Sequence, residues 1–427
     1  MSAEFHHLSI KYMESIDINY RKSLGQYFTP KTVRDALIST LPKKISPLIL
    51  DPACGTGEFL LSAKHYFKNP VLQGWDIDKK LIAISKKIIA DAELKNVDAL
   101  RQNYSETYDF VIGNPPYYEF SPDKYIGNKF NTVINGRANI FSMFIQLGLN
   151  MLKKGGYLAY VIPPSMNNGA YFSKLRDFIV KNSNIESLQI LNSSDIFHKA
   201  QQSVMLLVLK KGKNLGNFLF KKNGILIFSQ NANYLKEKFD GRFSLQELGF
   251  SVKTGRLVWN QNKTLLTNNL KGSIPLIWSH NITSDGLKIP IIKNKKPQYV
   301  KTNDFDIGPA IVVNRITGAA SKANLKAAIV PRGMKFIAEN HVNVIYPQEK
   351  QTQFSLFDNY ENKISLEDIV EQLTSPEALN IIQNITGNTQ ISKTELEFLF
   401  PIKTKSTNGY NPKYSSSNIL RHGVSIP

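Results

Sequence analysis

Between residues 48 and about 210, short β-rich runs alternate with helical stretches, and this alternation restricts the possible folds more than any other feature of the chain. Strands are expected at 48–51, 71–75, 109–113, 157–163, 187–191 and 203–210, with helices near 79–91, 139–153 and 170–182. Strands joined by helix-length crossovers run parallel in one sheet with helices packed on its faces, so the fold class is α/β with a Rossmann-like, mostly parallel sheet. The last two runs are too close together for a crossover helix and are predicted to close the sheet as an antiparallel pair. Ligands in sheets of this kind sit at the carboxyl ends of the strands. The chain's most distinctive residues fall at those ends.

Residues 48–61 read Leu-Ile-Leu-Asp-Pro-Ala-Cys-Gly-Thr-Gly-Glu-Phe-Leu-Leu: a buried strand, an acid, a glycine turn and a helix start. Gly55 and Gly57 let the backbone turn tightly and approach a ligand. Asp51 at the strand end is placed to meet a positive amino group. The pattern lacks the three glycines that bring a chain against a pyrophosphate, and the Gly-Lys-Ser/Thr ending of a phosphate-binding loop. A second strand, Val71-Leu72-Gln73-Gly74-Trp75, ends in Asp76-Ile77-Asp78, where an acid commonly holds ribose hydroxyls. Asp98-Ala99 is expected to close a third strand and meet an adenine ring. An adenosyl ligand that carries an amino acid and has no pyrophosphate fits these parts, namely S-adenosylmethionine. Each acid taken singly also suits a solvated loop or a helix cap.

After the strand-like run Tyr108–Gly113 comes Asn114-Pro115-Pro116-Tyr117. An amide oxygen and a neighbouring backbone carbonyl can accept both N–H bonds of an exocyclic amine. The prolines fix φ and offer no competing donor, and the tyrosine ring gives a base a stacking face. A proline-rich turn leaving a strand would look the same in isolation.

With Gln26-Tyr27-Phe28-Thr29-Pro30 ahead of the first strand, the chain resembles the γ class of DNA adenine-N6 methyltransferases of type II restriction–modification systems. That resemblance covers roughly residues 20–210. It implies site-specific adenine methylation of duplex DNA with S-adenosylmethionine as donor. The implied donor contacts are Tyr27, Thr29, Asp51, Ala53, Asp76, Ile77, Asp98 and the Asn114-Pro115-Pro116 backbone. Further on, Asp195–Val204 is similar to the family segment whose phenylalanine packs on the extruded base, which gives Phe197 that role beside Tyr117. Ala99 stands where some relatives carry a bulkier apolar residue. A separately encoded restriction endonuclease is an implied partner.

The 427 residues suffice for two or three domains, and the formal charge of +19 suits a polyanion such as DNA. The one cysteine excludes an internal disulfide framework, and Cys54 reads as a small loop residue because no Pro-Cys motif accompanies it. Seven histidines without paired metal spacing leave no metal ligands to assign. No signal peptide or membrane-length apolar run is seen, so a cytoplasmic location is expected and no membrane partner. The composition does not address the oligomeric state.

Residues 31–41 are expected to be helical and residues 1–23 carry no assignable motif. After about residue 235, Asn, Lys, Thr and Gly dominate and turns become frequent. Val252–Asn260 reads as strand–turn–strand, followed by Ile274–Trp278 and Ala310–Arg315, and 365–387 reads as helical. This half resembles the carboxyl-terminal recognition domains of PstI/BsuBI-like adenine methylases, down to Glu339–Val344. Lys253, Thr254, Arg256, Asn260 and Arg315 become candidates for reading base edges or gripping phosphates. The expected domains are a methyltransferase domain over 1–230, a β-rich target-recognition domain over 231–402 and a mobile tail over 403–427. Three rivals stay open: methylation of RNA base amines or protein glutamine, a DNA-specificity subunit without catalysis, and a fused nuclease. The last lacks spare length and an evident metal-carboxylate cluster.

Overall fold

The computed structural model describes residues 4–17, 25–191, 204–289, 296–315, 325–348, 364–386 and 391–404. Phe197 with most of its segment, and the tail beyond residue 404, lie outside the described residues. The chain divides into two compact units, Met1–Leu235 with Ile382–Thr389, and Lys236–Ile381 with Gln390–Pro427.

The first unit is built on one sheet of β1 (Leu48–Asp51), β2 (Val71–Asp76), β3 (Glu93–Asn96), β4 (Tyr108–Gly113), β5 (Leu152–Ile162), β6 (Ser183–Leu191) and β7 (Val204–Lys211). Their order is β3-β2-β1-β4-β5-β7-β6. The pairs from β3 to β5 are parallel, and β7 is antiparallel to both β5 and β6. The predicted parallel sheet with an antiparallel closure is therefore the sheet observed.

Strand alternation sends successive residues to opposite faces, and both faces are covered. Leu50, Val111, Leu158 and Tyr160 pack into one apolar cluster with the helix Ile140–Met151, while Ile49, Phe110, Ala159 and Val161 pack into another with the helices Lys31–Ser39 and Glu58–Tyr66. The helix Ile140–Met151 is apolar nearly all round, consistent with its burial along almost its whole length.

Several boundaries differ from expectation. Asp98-Ala99 does not close a strand: β3 ends at Asn96, and Asp98 caps the short 3₁₀ turn Ala99–Arg101 by accepting from the Leu100 N–H at 3.0 Å. A carboxylate beside a free turn amide is more stable as a cap than in a ladder. β5 begins at Leu152 instead of 157, since Leu152 pairs with Tyr108, and the extra residues of β5 form a register shift before Tyr157 pairs with Phe110. The helix expected over 170–182 opens with a 3₁₀ turn and becomes α-helical at Ser173.

The second unit holds a four-stranded antiparallel sheet with strands in the order Phe250–Thr254, Val342–Pro347, Ala310–Asn314 and Ala327–Val330. A five-stranded sheet includes Ile274–Ile277 and Lys335–Ala338. The expected strand–turn–strand at 252–260 supplies one strand. After Thr254 the backbone of Gly255 presses on Glu339, where a Cβ would lie 2.1 Å from the carbonyl oxygen, and Leu257 makes one isolated bridge before a 3₁₀ turn at Trp259–Gln261. Residues 366–386 are helical in two pieces, split where Pro376 opens the second helix.

Candidate active site

The chain leaves β1 toward β2 and β3 on one side, and later returns to lay β4 on the other side of β1. Where strand order reverses in this way, the loops part and leave a crevice at the strand ends. Asp51 ends β1 and Asn114 follows β4, so both face that crevice. A cavity of about 470 Å³ opens there. Tyr27, Thr29, Asp51, Ala53, Gly55, Asp76, Ile77, Asp98, Asn114 and Pro116 all line it. The residues expected to hold the donor are thus brought together from segments nearly ninety positions apart, with two departures described below.

Hydrogen bonds give the loop after β1 its shape. Asp51 accepts from the Ala53 N–H at 3.1 Å, the Cys54 N–H donates to the Trp75 carbonyl at 2.9 Å, and the Gly55 N–H donates to Asp76 Oδ2 at 2.9 Å. The other Asp76 oxygen accepts from the Asp78 N–H at 2.8 Å. Asp76 therefore ties the loop to the end of β2, and its oxygens keep lone pairs for hydroxyls in the cavity. Gly55 has φ +54°, and a Cβ there would meet nothing within 4 Å, so its backbone is bare toward open space. Gly57 is one departure. It does not line the cavity; it starts the helix Glu58–Tyr66 at φ +88°, and its missing Cβ makes room for Ser85, whose Oγ would lie 2.5 Å away. Its glycine serves helix packing, which the sequence cannot distinguish from ligand approach.

Asp51 is only 1% exposed, and among the described residues it has no ion pair. Burial pushes its carboxyl up to about 8, and Asp76 adds repulsion in the same direction. Asp76 is also raised, chiefly by burial, against the pull of the Asp78 and Gly55 N–H groups. A buried, uncompensated acid in a cavity is held at a cost that a cationic ligand group removes. Gly113, at φ +145°, lets β4 pass this carboxylate; a Cβ would stand 2.6 Å from Asp51 Oδ1. The Cys54 thiol is buried and raised well above its ordinary value, so it stays protonated. These features fit S-adenosylmethionine: an acid for its ammonium, a second acid at the end of the next strand for ribose hydroxyls, and an apolar edge for its adenine. Ile77, 74% exposed, and the buried Ala99 supply part of that edge. Sequence reading missed other apolar lining residues, among them Val97, Leu100, Tyr118, Phe120, Ile140 and Phe144, which look like ordinary core residues in one dimension.

The Asn114 side chain has one orientation available. Its Nδ2 donates to the Tyr27 carbonyl and to Thr29 Oγ1, each at 2.9 Å, and a carbonyl can only accept. Oδ1 therefore points the other way, where the Tyr117 hydroxyl lies against it and against the Val161 carbonyl at 2.6 Å. Burial, with Tyr27 nearby, keeps the Tyr117 hydroxyl well above its usual range and so protonated. Pro115 is the second departure, since it does not line the donor cavity; Tyr117, expected to meet the base and not the donor, does not line it either. Tyr117 instead packs edge-on against Phe141 and is stacked by the Tyr27 ring at 5.5 Å between centroids and 21° between planes.

In the second unit, Thr254 pairs with Asn343 and Asn314 with Val342, which brings Lys253, Thr254 and Arg315 to one end of the four-stranded sheet. Lys253 sits over the Tyr346 ring, Thr254 Oγ1 donates to Asn343 Oδ1 at 3.4 Å, and the Arg315 N–H donates to the His341 carbonyl at 3.1 Å. Asn260 is exposed on the turn Trp259–Gln261. Arg256 is already engaged, by Asp304 at 2.7 Å and Asp306 at 3.6 Å.

The family model for N-6 DNA Methylase matches residues 12–255. The chain is 28% identical to the modification methylase CviBIII of Paramecium bursaria Chlorella virus NC1A, over 70% of this chain and 75% of that one. It is 21% identical to the type II methyltransferase M.PstI of Providencia stuartii, over 90% and 88% respectively. Among solved structures it is similar to a methyltransferase subunit of a type I restriction-modification system from Streptococcus thermophilus, at 19% identity and TM-score 0.39, over 50% of this chain and 53% of that one. With a family match over more than half of its length and a cavity suited to S-adenosylmethionine, the chain belongs to the N-6 DNA methylase family and is an S-adenosylmethionine-dependent DNA methyltransferase.

Proposed function

We propose that the protein methylates N6 of an adenine turned out of a specific site in duplex DNA, as in host protection by restriction–modification. The observation that carries this reading is the fixed Asn114 amide, whose Nδ2 is committed to Tyr27 and Thr29 and whose oxygen, which accepts from the Tyr117 hydroxyl, keeps a second lone pair for an amine hydrogen. An exocyclic amine offers two hydrogens. Asn114 Oδ1 takes one and the Pro115 carbonyl the other, which aims the nitrogen lone pair along the remaining direction. When bound, the donor supplies a methyl group activated by a sulfonium leaving group. Alignment is then the enzyme's main task, and it is worth several kcal/mol without a covalent intermediate.

The target amine lies inside the duplex, so its base must rotate out at a cost of a few kcal/mol. Tyr117 is the stacking platform for it, and Phe197 packs elsewhere on the ring. In the free protein Tyr27 covers one face of Tyr117. The Tyr27 backbone is held by Asn114, so only its side chain has to rotate to uncover that face. Lys253, Thr254, Asn260 and Arg315 contribute DNA contacts from the second unit. This reading places the protein in the cytoplasm with its DNA, beside a separately encoded restriction endonuclease. Among the described residues no helix is long and apolar enough to cross a membrane.

The test is to incubate the protein with methyl-labelled S-adenosylmethionine and duplex DNA, RNA or protein extract. N6-methyladenine in DNA is expected; label confined to RNA or to protein glutamine would overturn the proposal.

A further inference from the structure

Arg34 is the bulkiest of the fully buried side chains among the described residues, at 2% exposure. A guanidinium stays in such a place only if its donors are satisfied. Nε donates to Ser62 Oγ at 3.2 Å, Nη1 to the Thr29 carbonyl at 2.5 Å, and Nη2 to Glu58 Oε2 at 2.8 Å. Both terminal nitrogens also reach the Glu4 carbonyl at 3.4 Å. Glu58 stands in the first turn of the helix that follows the donor loop, and its other oxygen accepts from the His6 N–H at 2.9 Å. Thr29, whose carbonyl Arg34 holds, uses its hydroxyl to accept from Asn114 Nδ2. A continuous path thus runs from the donor-loop helix through Glu58, Arg34 and Thr29 to the amide that faces the methyl acceptor.

We propose that Arg34 is a positioning residue: by holding the Thr29 carbonyl against Glu58, it fixes the hydroxyl that orients Asn114. The proposal rests on the reading of Asn114 as the acceptor of the amine hydrogens. Thr29 immediately precedes Pro30, which opens the helix Lys31–Ser39 that carries Arg34. The residue before a proline is confined to extended backbone, so the guanidinium bond locks an already narrow choice. Displacement of a reacting group by about 1 Å costs about 10²-fold in rate.

The test is a double-mutant cycle on kcat. Arg34→Lys keeps the charge but has only three N–H donors on a single nitrogen, and Thr29→Val keeps the shape but removes the acceptor for Asn114. Each single variant is expected to lose about 10- to 100-fold in kcat. Arg34 and Glu58 also line the donor cavity, so kcat is compared at saturating donor, where a loss transmitted through Thr29 persists and one confined to donor binding does not. Because Arg34 acts through the Thr29 hydroxyl, the double variant should be no slower than the slower single one. Losses that multiply, or an Arg34→Lys loss that appears wholly in donor Kd or in Tm, would overturn the proposal. If Arg34→Lys does not fold, Glu58→Gln replaces it in the same cycle with the same expectations, since it weakens the ionic hold on Arg34 without changing side-chain shape. The cycle takes the wild-type methyl-transfer rate as its reference whichever amine is methylated. A failed adenine assignment, read from the product, is therefore distinct from a failed coupling.

Discussion

Replacing Asp51 by Asn should stabilise the free protein and weaken donor binding at the same time. The carboxyl is 1% exposed and is raised from 3.8 to about 8, first by burial and then by repulsion from Asp76. For an acid with a raised folded-state value, stability is fully present below the unfolded value and is lost as pH rises toward the folded one. Below 3.8 both states hold the proton; between 3.8 and about 8 only the folded state does; above that the loss is complete. Each pH unit in the window removes about 1.4 kcal/mol, so the span from 3.8 to neutrality amounts to about 4 kcal/mol. Water in the cavity that Asp51 lines screens the charge, which makes this figure a ceiling, and a gain of about 1–4 kcal/mol is expected at neutral pH. For a unit of this size that corresponds to several degrees in Tm.

The assay is a thermal melt of wild-type and D51N protein without donor across that pH window. The two Tm profiles should meet at the acid end and diverge steadily toward pH 8. Parallel profiles, or a D51N protein less stable at neutral pH, would refute the account of Asp51 as an uncompensated acid. The same carboxylate should repay its cost when an ammonium arrives. Calorimetry in buffers of different ionisation enthalpy should show a proton released by wild type on binding S-adenosylmethionine, and none by D51N. Loss of a charge-assisted bond should raise the variant's Kd by about 10- to 100-fold.

Other outcomes follow from the same geometry. Asn114→Ala should abolish transfer while donor binding, followed by calorimetry, survives; near-normal turnover would contradict the alignment role. Tyr117→Ala should be less harmful when the target adenine is mispaired, because extrusion is then easier, and equal losses on paired and mispaired duplexes would count against stacking. Tyr27→Ala uncovers a face of Tyr117 and removes a ring contact worth about 0.5–1.5 kcal/mol, so the fluorescence of 2-aminopurine at the target position should rise more readily on binding. An unchanged signal would show that Tyr27 does not compete with the base. Lys253→Ala and Arg315→Ala should each lower the salt dependence of DNA binding by about one unit of slope, whereas Arg256→Ala should leave it unchanged because Asp304 and Asp306 already hold that guanidinium. A reduced slope for Arg256→Ala would show that it leaves those acids for DNA.

The mostly parallel sheet, its antiparallel closure and the placement of Asp51, Asp76 and Asn114 at strand ends were legible because each rests on local periodicity, whereas the order of the strands, set by crossovers between distant segments, was not. A buried strand, a glycine turn and a helix start are written in adjacent residues, and a parallel sheet brings successive strand ends to one side. Asp98 was placed in the right neighbourhood but in the wrong element. Its capping bond to Leu100 spans only two residues, yet a cap and a strand end look alike in sequence.

What the tertiary structure decided were pairings between distant residues. The purpose of Gly57 depends on Ser85, and the availability of Arg256 depends on acids some fifty positions later. The covered face of Tyr117 depends on Tyr27, and the orientation of Asn114 on Tyr27 and Thr29, which precede it by more than eighty residues. Arg34 reads in sequence as an ordinary polar residue on an amphipathic helix, and it becomes the centre of a buried network only once Glu4, Thr29, Glu58 and Ser62 surround it. The sequence by itself therefore determined the sheet and the kind of chemistry at its edge, since both depend on short-range backbone and residue type. Which groups are free, which are held and which way an amide points was decided only by the folded chain. Hydrogen bonds and burial act through space, and a linear pattern does not encode who the neighbours are.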